Sequence, residues 1–266
     1  MNSFKDKVAW ITGASSGIGE ALAHSFAKRG AKLVLSSRRE EELKRVQKEA
    51  GLDNSNSLIL PLDLNEISKF DYALKACLTK FSKLDLLINN GGISQRSFVK
   101  DTELDVYRKI MEVNYFGNIA LTQLVLKQFM IQQSGTIAVT SSVTGKIGTP
   151  LRSGYSASKH ALHGFYDSLR SEVYKDNIKI LIVCPGYIRT NVSINALVGD
   201  GSNYKIMDEA QAKGLSPEYC AEKIISAISS GKEEVIIAGS KEKFGLFLKR
   251  FFPGVLSKMM RNIKVT

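Results

Sequence analysis

The chain is short of the residues that staple small proteins or ligate metals. It has three cysteines, three histidines and five prolines among 266 residues. Cys77, Cys184 and Cys220 are far apart, odd in number and lack C-x-x-C or His-paired spacing. That excludes a disulfide framework and predicts small buried apolar residues in a reducing compartment. His24, His160 and His163 are too few for a metal centre without several carboxylates, so no metal is expected. No run of about 18 apolar residues occurs, which removes a membrane-spanning helix. Gly/Ser-rich tracts, Pro-rich tracts and internal repeats are missing as well, so nothing reads as a linker. The N-terminal Met1–Lys7 is polar and runs straight into an apolar strand, without the longer apolar core of a signal peptide. The default these absences leave is a soluble cytoplasmic protein.

Acidic charge is the minority. Lys and Arg number 37 against 26 Asp and Glu, a net charge of +11. Such an excess suits anionic ligands or an anionic surface. Part of it is local: Lys241 to Thr266 carries seven Lys/Arg against the single acid Glu242. The aromatic residues there are phenylalanines at apolar positions, not stacking platforms interleaved with Arg. No nucleic-acid partner is expected.

Hydrophobic residues make up 44% of the chain, enough for one large α/β domain. Strand and helix patterns alternate. Val8–Ile11, Lys32–Leu35, Leu58–Leu60, Leu84–Ile88, Thr136–Val139, Ile178–Val183 and Glu234–Ile237 read as strands. Helical patterns cover Gly19–Arg29, Glu40–Ala50, Thr102–Gln133 and Tyr155–Lys175, the second with Glu40–Lys44 and Glu41–Arg45 at i,i+4 spacing. Alternation of this kind predicts right-handed crossovers: a single doubly wound, Rossmann-like parallel sheet with helices on both faces. Ligands then lie beyond the carboxyl ends of the strands.

Thr12-Gly13-Ala14-Ser15-Ser16-Gly17-Ile18-Gly19 follows the first strand and opens the first helix. Gly13 permits the tight turn, Gly17 lets backbone approach a pyrophosphate, and Gly19 lets the helix pack on the strand; phosphates would sit at the helix N-terminus. At the end of the second strand an NAD site carries an acid for the ribose 2′-OH. Here the residues are Ser36-Ser37-Arg38-Arg39, with no acid before Glu40. Ser37 and Arg38 can take a 2′-phosphate, so the expected cofactor is NADP(H). Asp63-Leu64 follows the third strand, and Asn89-Asn90-Gly91-Gly92 reads as a backbone-exposing turn after the fourth.

Tyr155 and Lys159 share a helix face at i,i+4. A free phenol titrates near pH 10, roughly three units too high for proton shuttling at neutrality. A neighbouring ammonium and a positive nicotinamide ring favour the phenolate. Ser142, at the end of the preceding strand, can hold a substrate oxygen.

These motifs together, in order over roughly residues 6 to 240, resemble the short-chain dehydrogenases/reductases. Asn114, Pro185-Gly186 and Thr190 complete the resemblance. It implies Tyr155 as general acid/base, Ser142 as substrate orienter, and Lys159 as ribose anchor and modulator of the tyrosine. Asn114 would hold a water that relays protons to Lys159, and Thr190 would bind the carboxamide. Cofactor contacts would involve Gly13, Ser15, Ser16, Gly17, Ile18, Gly19, Ser37, Arg38, Asp63, Leu64, Asn90, Gly92, Tyr155, Lys159, Pro185, Ile188 and Thr190. Ser142 is preferred to adjacent Ser141 because the family's spacing to the tyrosine lands there. Gly91 departs from the alanine usual in the family's Asn-Asn-Ala-Gly turn. The resemblance also implies a homodimer or homotetramer built on the helices of Asn114 and Tyr155.

Tyr187–Gly214 is the stretch that covers substrate in such proteins. Its Tyr187, Ile194, Leu197, Val198, Tyr204 and Met207 predict an apolar pocket, hence a lipophilic carbonyl or alcohol. Residues 241–266 form a basic amphipathic extension beyond a catalytic domain of 1–240. Phe244, Phe247, Leu248 and Phe251 fall at i, i+3, i+4, i+7; after Pro253-Gly254, Leu256, Met259, Met260 and Ile263 repeat the pattern, with Lys258, Arg261 and Lys264 between. This suits an anionic membrane surface, and equally packing on the core or a partner subunit. Two other readings are a non-catalytic NADP(H)-binding sensor and a membrane-associated adaptor; loss of Tyr155 or Lys159 would have favoured the first.

Overall fold

The computed structural model describes residues 4–261. Seven parallel strands form one sheet in the order β3-β2-β1-β4-β5-β6-β7. They are β1 (Val8–Thr12), β2 (Lys32–Ser36), β3 (Ser57–Ile59), β4 (Leu86–Asn89), β5 (Gly135–Thr140), β6 (Ile178–Pro185) and β7 (Glu234–Ile237). The order reverses between β1 and β4, so the two halves leave a crevice at the carboxyl ends there. Strands β1 and β4 are wholly buried, which is why each reads as a continuous apolar run rather than an alternation.

Each sheet face has its own core. Ala9, Ile11, Leu33 and Leu35 face α1 (Gly17–Ala27) and α8 (Pro217–Ser229). Val8, Trp10, Val34 and Leu87 face the other way, toward α3 (Phe70–Phe81), α5 (Gly117–Gln132) and α6 (Ser153–Glu172). The remaining long-strand crossover, α2 (Glu40–Glu49), carries a network centred on Arg45, which pairs with Glu20, Glu42 and Glu49. The expected Glu40–Lys44 pair forms at 3.0 Å, but Glu41 turns to Lys44 rather than Arg45. Arg45 instead finds three carboxylates on its other side. All three cysteines are buried and unpaired, as their spacing indicated.

The helix expected over Thr102–Gln133 is not uniform. It runs as α4 (Leu104–Met111), a π-helical turn over Glu112–Phe116, and α5. A π-turn inserts an extra residue in the ladder and redirects the side chains within it. Here it carries Asn114. Gly117 follows because a Cβ at that position would collide with the Leu64 carbonyl, where the helix passes the end of β3. A mid-helix glycine costs roughly 1 kcal/mol relative to alanine, and close approach is what justifies it.

Asn89 also departs from expectation. It is a buried strand residue, not part of the turn, and its Nδ2 donates to the Thr122 hydroxyl at 2.8 Å and the Tyr166 hydroxyl at 3.0 Å. Tyr166 donates to Asn118 Oδ1 at 2.5 Å. This buried polar knot fastens β4, α5 and α6 together, and burial holds the Tyr166 phenol well above its usual range.

After α7 (Glu209–Ala212), α8 and β7, the described residues close with α9 (Ser240–Phe251) and α10 (Pro253–Met260). Leu248 and Leu256 pack on Val143, Ile147 and Ala238. Phe244, Phe247, Phe251, Phe252, Val255 and Met259 of the pair are exposed. The expected repeat at Ile263 and Lys264 lies outside the described residues.

Candidate active site

A cavity of about 1150 Å³ opens along the carboxyl ends of the strands. One end is the turn between β1 and α1. Gly13 and Gly17 have positive φ, at +66° and +59°, and a Cβ on Gly13 would come within 2.9 Å of Gly91 Cα. Two turns therefore meet backbone to backbone. Thr12 Oγ1 locks them, accepting from Asn90 N and Gly91 N at 3.0 Å each. Asn90 Nδ2 returns a bond to the Thr12 carbonyl at 3.2 Å. A bare backbone trough ending at the N-terminus of α1 is what a pyrophosphate needs. Gly13, Ser15, Ser16, Gly17, Ile18, Asp63, Leu64, Asn90 and Gly92 all line the cavity, whereas Gly19 packs behind the turn against Gly13.

Beside the turn, Ser37, Arg38 and Arg39 line the same end. Sequence reasoning singled out Arg38 and passed over Arg39. Arg39 is the one that reaches across, its Nη2 donating to Ser15 Oγ at 3.1 Å and Ser16 Oγ at 3.4 Å. Ser37 Oγ accepts from Arg39 N at 3.2 Å and so shapes the start of α2. Consecutive side chains leaving a strand end diverge; which arginine turns inward is decided by the hydroxyls opposite.

Ser142, Tyr155 and Lys159 converge on the middle of the cavity. Ser142 lies just past the end of β5 and caps a short 3-10 turn: its Oγ accepts from Thr144 N at 3.1 Å and donates to the Pro185 carbonyl at 3.4 Å. The neighbouring Ser141 hydroxyl is tied to the Lys159 carbonyl at 3.1 Å. Lys159 is nearly inaccessible, and its Nζ donates to the Thr140 carbonyl at 2.7 Å. Burial lowers its pKa from 10.5 to about 8, with a small opposing influence from Cys184. The ammonium lies 5.7 Å from the centre of the Tyr155 ring.

The Tyr155 phenol is pushed up from its ordinary value by burial, and Ser142, Arg152 and Arg96 pull it down. Lys159, expected from the sequence to supply that pull, sits one helical turn further along α6. Its ammonium is aimed at the Thr140 carbonyl, and burial has already weakened its hold on the proton.

Asn114 is committed to protein partners. Its Oδ1 accepts from Ile93 N at 2.8 Å, and its Nδ2 donates to the Ile93 carbonyl at 2.9 Å and Ser158 Oγ at 3.0 Å. Side-chain hydrogen bonding thus joins the turn after β4 to α6. A Cβ added to Gly92 would lie 3.0 Å from Asn114 Oδ1 and 3.5 Å from Lys159 Nζ, so all three meet at one point. Pro185, at the end of β6, and Ile188 and Thr190, in the loop after it, line the cavity. Gln211, which sequence reasoning missed, fixes that loop by donating to the Ile188 carbonyl.

The substrate end differs from expectation. Tyr187 and Leu197 line it, but Ile194, Val198, Tyr204 and Met207 do not. Their places are taken by Val192, Leu248, Leu256, Met259 and Met260, four of them from α9 and α10. The segment treated as an extension is part of the wall. Among the described residues, one group of possible metal ligands, Glu20, His24 and Glu49, lies away from the cavity. Arg45 already bridges its two carboxylates.

Residues 7–198 match the family model for short chain dehydrogenase. The chain belongs to the short-chain dehydrogenase family. Its members are oxidoreductases that use a nicotinamide cofactor. A dehydrogenase/reductase SDR family protein 7-like of Anopheles gambiae is 45% identical, covering 96% of this chain and 82% of that protein. The human dehydrogenase/reductase SDR family member 7 is 40% identical over 93% of this chain and 75% of its own. A short-chain dehydrogenase/reductase from Burkholderia phymatum, solved in complex with NAD, shares the fold. Its TM-score is 0.84 at 23% identity, over 96% of both chains.

Proposed function

We propose that this short-chain dehydrogenase is an NADP(H)-dependent carbonyl reductase, interconverting a ketone or aldehyde with an alcohol on a substrate with an apolar body. The observation that carries the reading is one continuous cavity. It joins the glycine turn and its flanking arginines to Ser142, Tyr155 and Lys159. When bound, the dinucleotide supplies or accepts the hydride. The trough of Gly13–Gly17 would hold its pyrophosphate at the N-terminus of α1, and Thr190, Pro185 and Ile188 would border its nicotinamide end.

Ser142 would hold the substrate oxygen, and Tyr155 would give that oxygen a proton during reduction or remove it during oxidation. Lys159 would anchor the ribose and bring positive charge beside the phenol. Asn114 keeps the catalytic helix in register with the turn after β4. With Tyr155 and Lys159 both present in the cavity, no observation favours a non-catalytic sensor.

Ser37, Arg38 and Arg39, with no acid at the end of β2, support NADP(H) over NAD(H), because two guanidinium forks can take a 2′-phosphate. Catalytic efficiency with NADPH is expected to exceed that with NADH by at least about tenfold, roughly 1.4 kcal/mol. Replacing Arg38 and Arg39 together by alanine should erase most of that ratio. Equal use of both coenzymes by the unmodified enzyme would remove the assignment.

The outer side of α9 and α10 supports docking on an anionic membrane. Three exposed phenylalanines that do not line the cavity (Phe247, Phe251 and Phe252) stand among Lys243, Lys249, Arg250 and Lys258, on helices whose other residues, Phe244 included, do line it. Lipophilic substrate could then enter without crossing water. Each basic residue near the surface adds about 1 kcal/mol of attraction, weakening with salt. Flotation with anionic vesicles should be salt-sensitive and lost when Phe247 and Phe251 become serine. Flotation unaffected by those changes, or none at all, would return the exposed face to a partner subunit.

A further inference from the structure

Helix α6 begins at a residue that cannot cap it. The first N–H groups of a helix have no partner within it, and an oxygen on the preceding side chain usually accepts from the second or third. In α6 that preceding residue is Arg152, which makes no side-chain cap. A guanidinium carries donors and no acceptor. Arg152 is turned to the buried Asp208, its Nη2 donating to Oδ2 at 3.0 Å, an oxygen that Arg96 Nη2 also reaches at 2.5 Å.

The acceptor comes from another segment. Gln95, after β4, is fully buried and does not line the cavity. Its Oε1 accepts from Gly154 N at 2.7 Å and Tyr155 N at 3.4 Å, the second and third residues of α6. Gly154 is what admits it: a Cβ there would lie 3.0 Å from that oxygen and 2.8 Å from Tyr107 Cδ1. The other end of the amide is anchored too, Nε2 donating to Ser97 Oγ at 3.1 Å and Thr102 Oγ1 at 3.3 Å. The backbone is fixed on either side. Leu197 N donates to the Ser94 carbonyl at 2.9 Å, and Arg96 N donates to the Leu197 carbonyl at 2.8 Å. Leu197 lines the substrate end of the cavity. Gln95 thus stands between the wall that would meet substrate and the backbone that carries the Tyr155 phenol.

We infer that Gln95 is a positioning residue for proton transfer: through Oε1 it sets the start of α6, and with it the place of the Tyr155 hydroxyl relative to Ser142 and the substrate oxygen. This rests on the reading of Tyr155 as proton donor and adds to it a residue outside the cavity. A shift of about 1 Å at a reacting group can cost about a hundredfold in rate. The hydrogen bonds of the Gln95 side chain go to α6 and to the Ser97–Thr102 segment, not to the glycine turn, so its effect falls on kcat rather than on cofactor affinity.

Two variants separate the acceptor from the rest of the side chain. Gln95→Met keeps the length and loses the acceptor. Gln95→Glu keeps an acceptor, and a carboxylate suits a helix N-terminus. With NADPH and 2-decanone as the probe ketone, Gln95→Met should lower kcat by about ten- to a hundredfold, while the NADPH dissociation constant stays within about twofold by fluorescence titration. Gln95→Glu should restore most of kcat. Amide exchange gives a readout that needs no turnover. The Gly154 and Tyr155 N–H groups should exchange about tenfold faster or more in Gln95→Met, and near the parent rate in Gln95→Glu. Equal loss of kcat in both variants, or unchanged kcat and unchanged exchange in Gln95→Met, would overturn the positioning role and leave the reductase standing. Faster exchange in Gln95→Met, reversed in Gln95→Glu, in a parent that reduces no ketone or aldehyde would uphold the cap and remove the reductase reading.

Discussion

Phenylalanine at position 155 is expected to lower kcat for NADPH-dependent carbonyl reduction by about two or more decades, with NADPH affinity essentially unchanged. The substitution removes one hydroxyl and keeps the ring, so the packing of α6 and the 5.7 Å approach of Lys159 are preserved. The glycine turn that would hold the pyrophosphate is untouched. What disappears is the proton donor. Because burial raises the phenol's pKa, it stays protonated through neutral pH, the form reduction needs. Oxidation needs the phenolate and should speed up as pH rises. Steady-state rates in both directions, with NADPH fluorescence titration for affinity, check this. Near-normal turnover by Tyr155→Phe would remove Tyr155 as the acid.

Lys159→Met is expected to abolish catalysis without weakening the fold at neutral pH. The lysine's folded pKa, about 8, lies below its usual 10.5 because burial disfavours the cation. Between those values the unfolded chain holds a proton that the folded chain has released, so stability rises with pH across that window. Below pH 8 the desolvation penalty is fully present, about 3 kcal/mol. Methionine keeps the apolar stem and removes the charge. It also leaves the Thr140 carbonyl without its partner, a loss of roughly 1–3 kcal/mol that offsets most of the gain. Urea unfolding at pH 7 should therefore find the variant at least as stable as the parent. At pH 10 it should be less stable, while kcat falls by about two decades or more and cofactor affinity drops. A variant several kcal/mol less stable at pH 7 would mean the ammonium is not desolvated as the geometry indicates. Function here is held against stability, as at many catalytic sites.

Much of the architecture was legible because it depends on near neighbours in the chain. Short apolar runs set between longer stretches of 3.6-residue helical spacing were enough to mark the seven strands and several of the helices between them. The end of β4 was less clear. Asn89 and Asn90 are both polar and adjacent; that the first belongs to a buried knot with Thr122 and Tyr166 depends on residues 33 and 77 positions away. The π-turn at Asn114 was invisible for a similar reason. It sits where Gly117 passes close to the Leu64 carbonyl, a contact between segments, and helical spacing on either side reads as continuous.

The sequence by itself determined the chemistry that travels in short segments: the glycine turn after β1, the absence of an acid at the end of β2, and Tyr155 one helical turn before Lys159. Each of those works through backbone geometry within a few residues, so spacing is enough to reveal it. Only the tertiary structure decided which side chains share a cavity across the chain. It turned Arg39 rather than Arg38 onto the Ser15 and Ser16 hydroxyls, and it gave α9 and α10 a wall of the substrate end. It also drew Arg96 and Arg152 from 56 positions apart onto Asp208. An arginine's charge is the same on a solvated helix and in a buried cavity. What it does depends on which carboxylate, ring or ligand the fold brings within about 3 Å, and no local pattern encodes that distance.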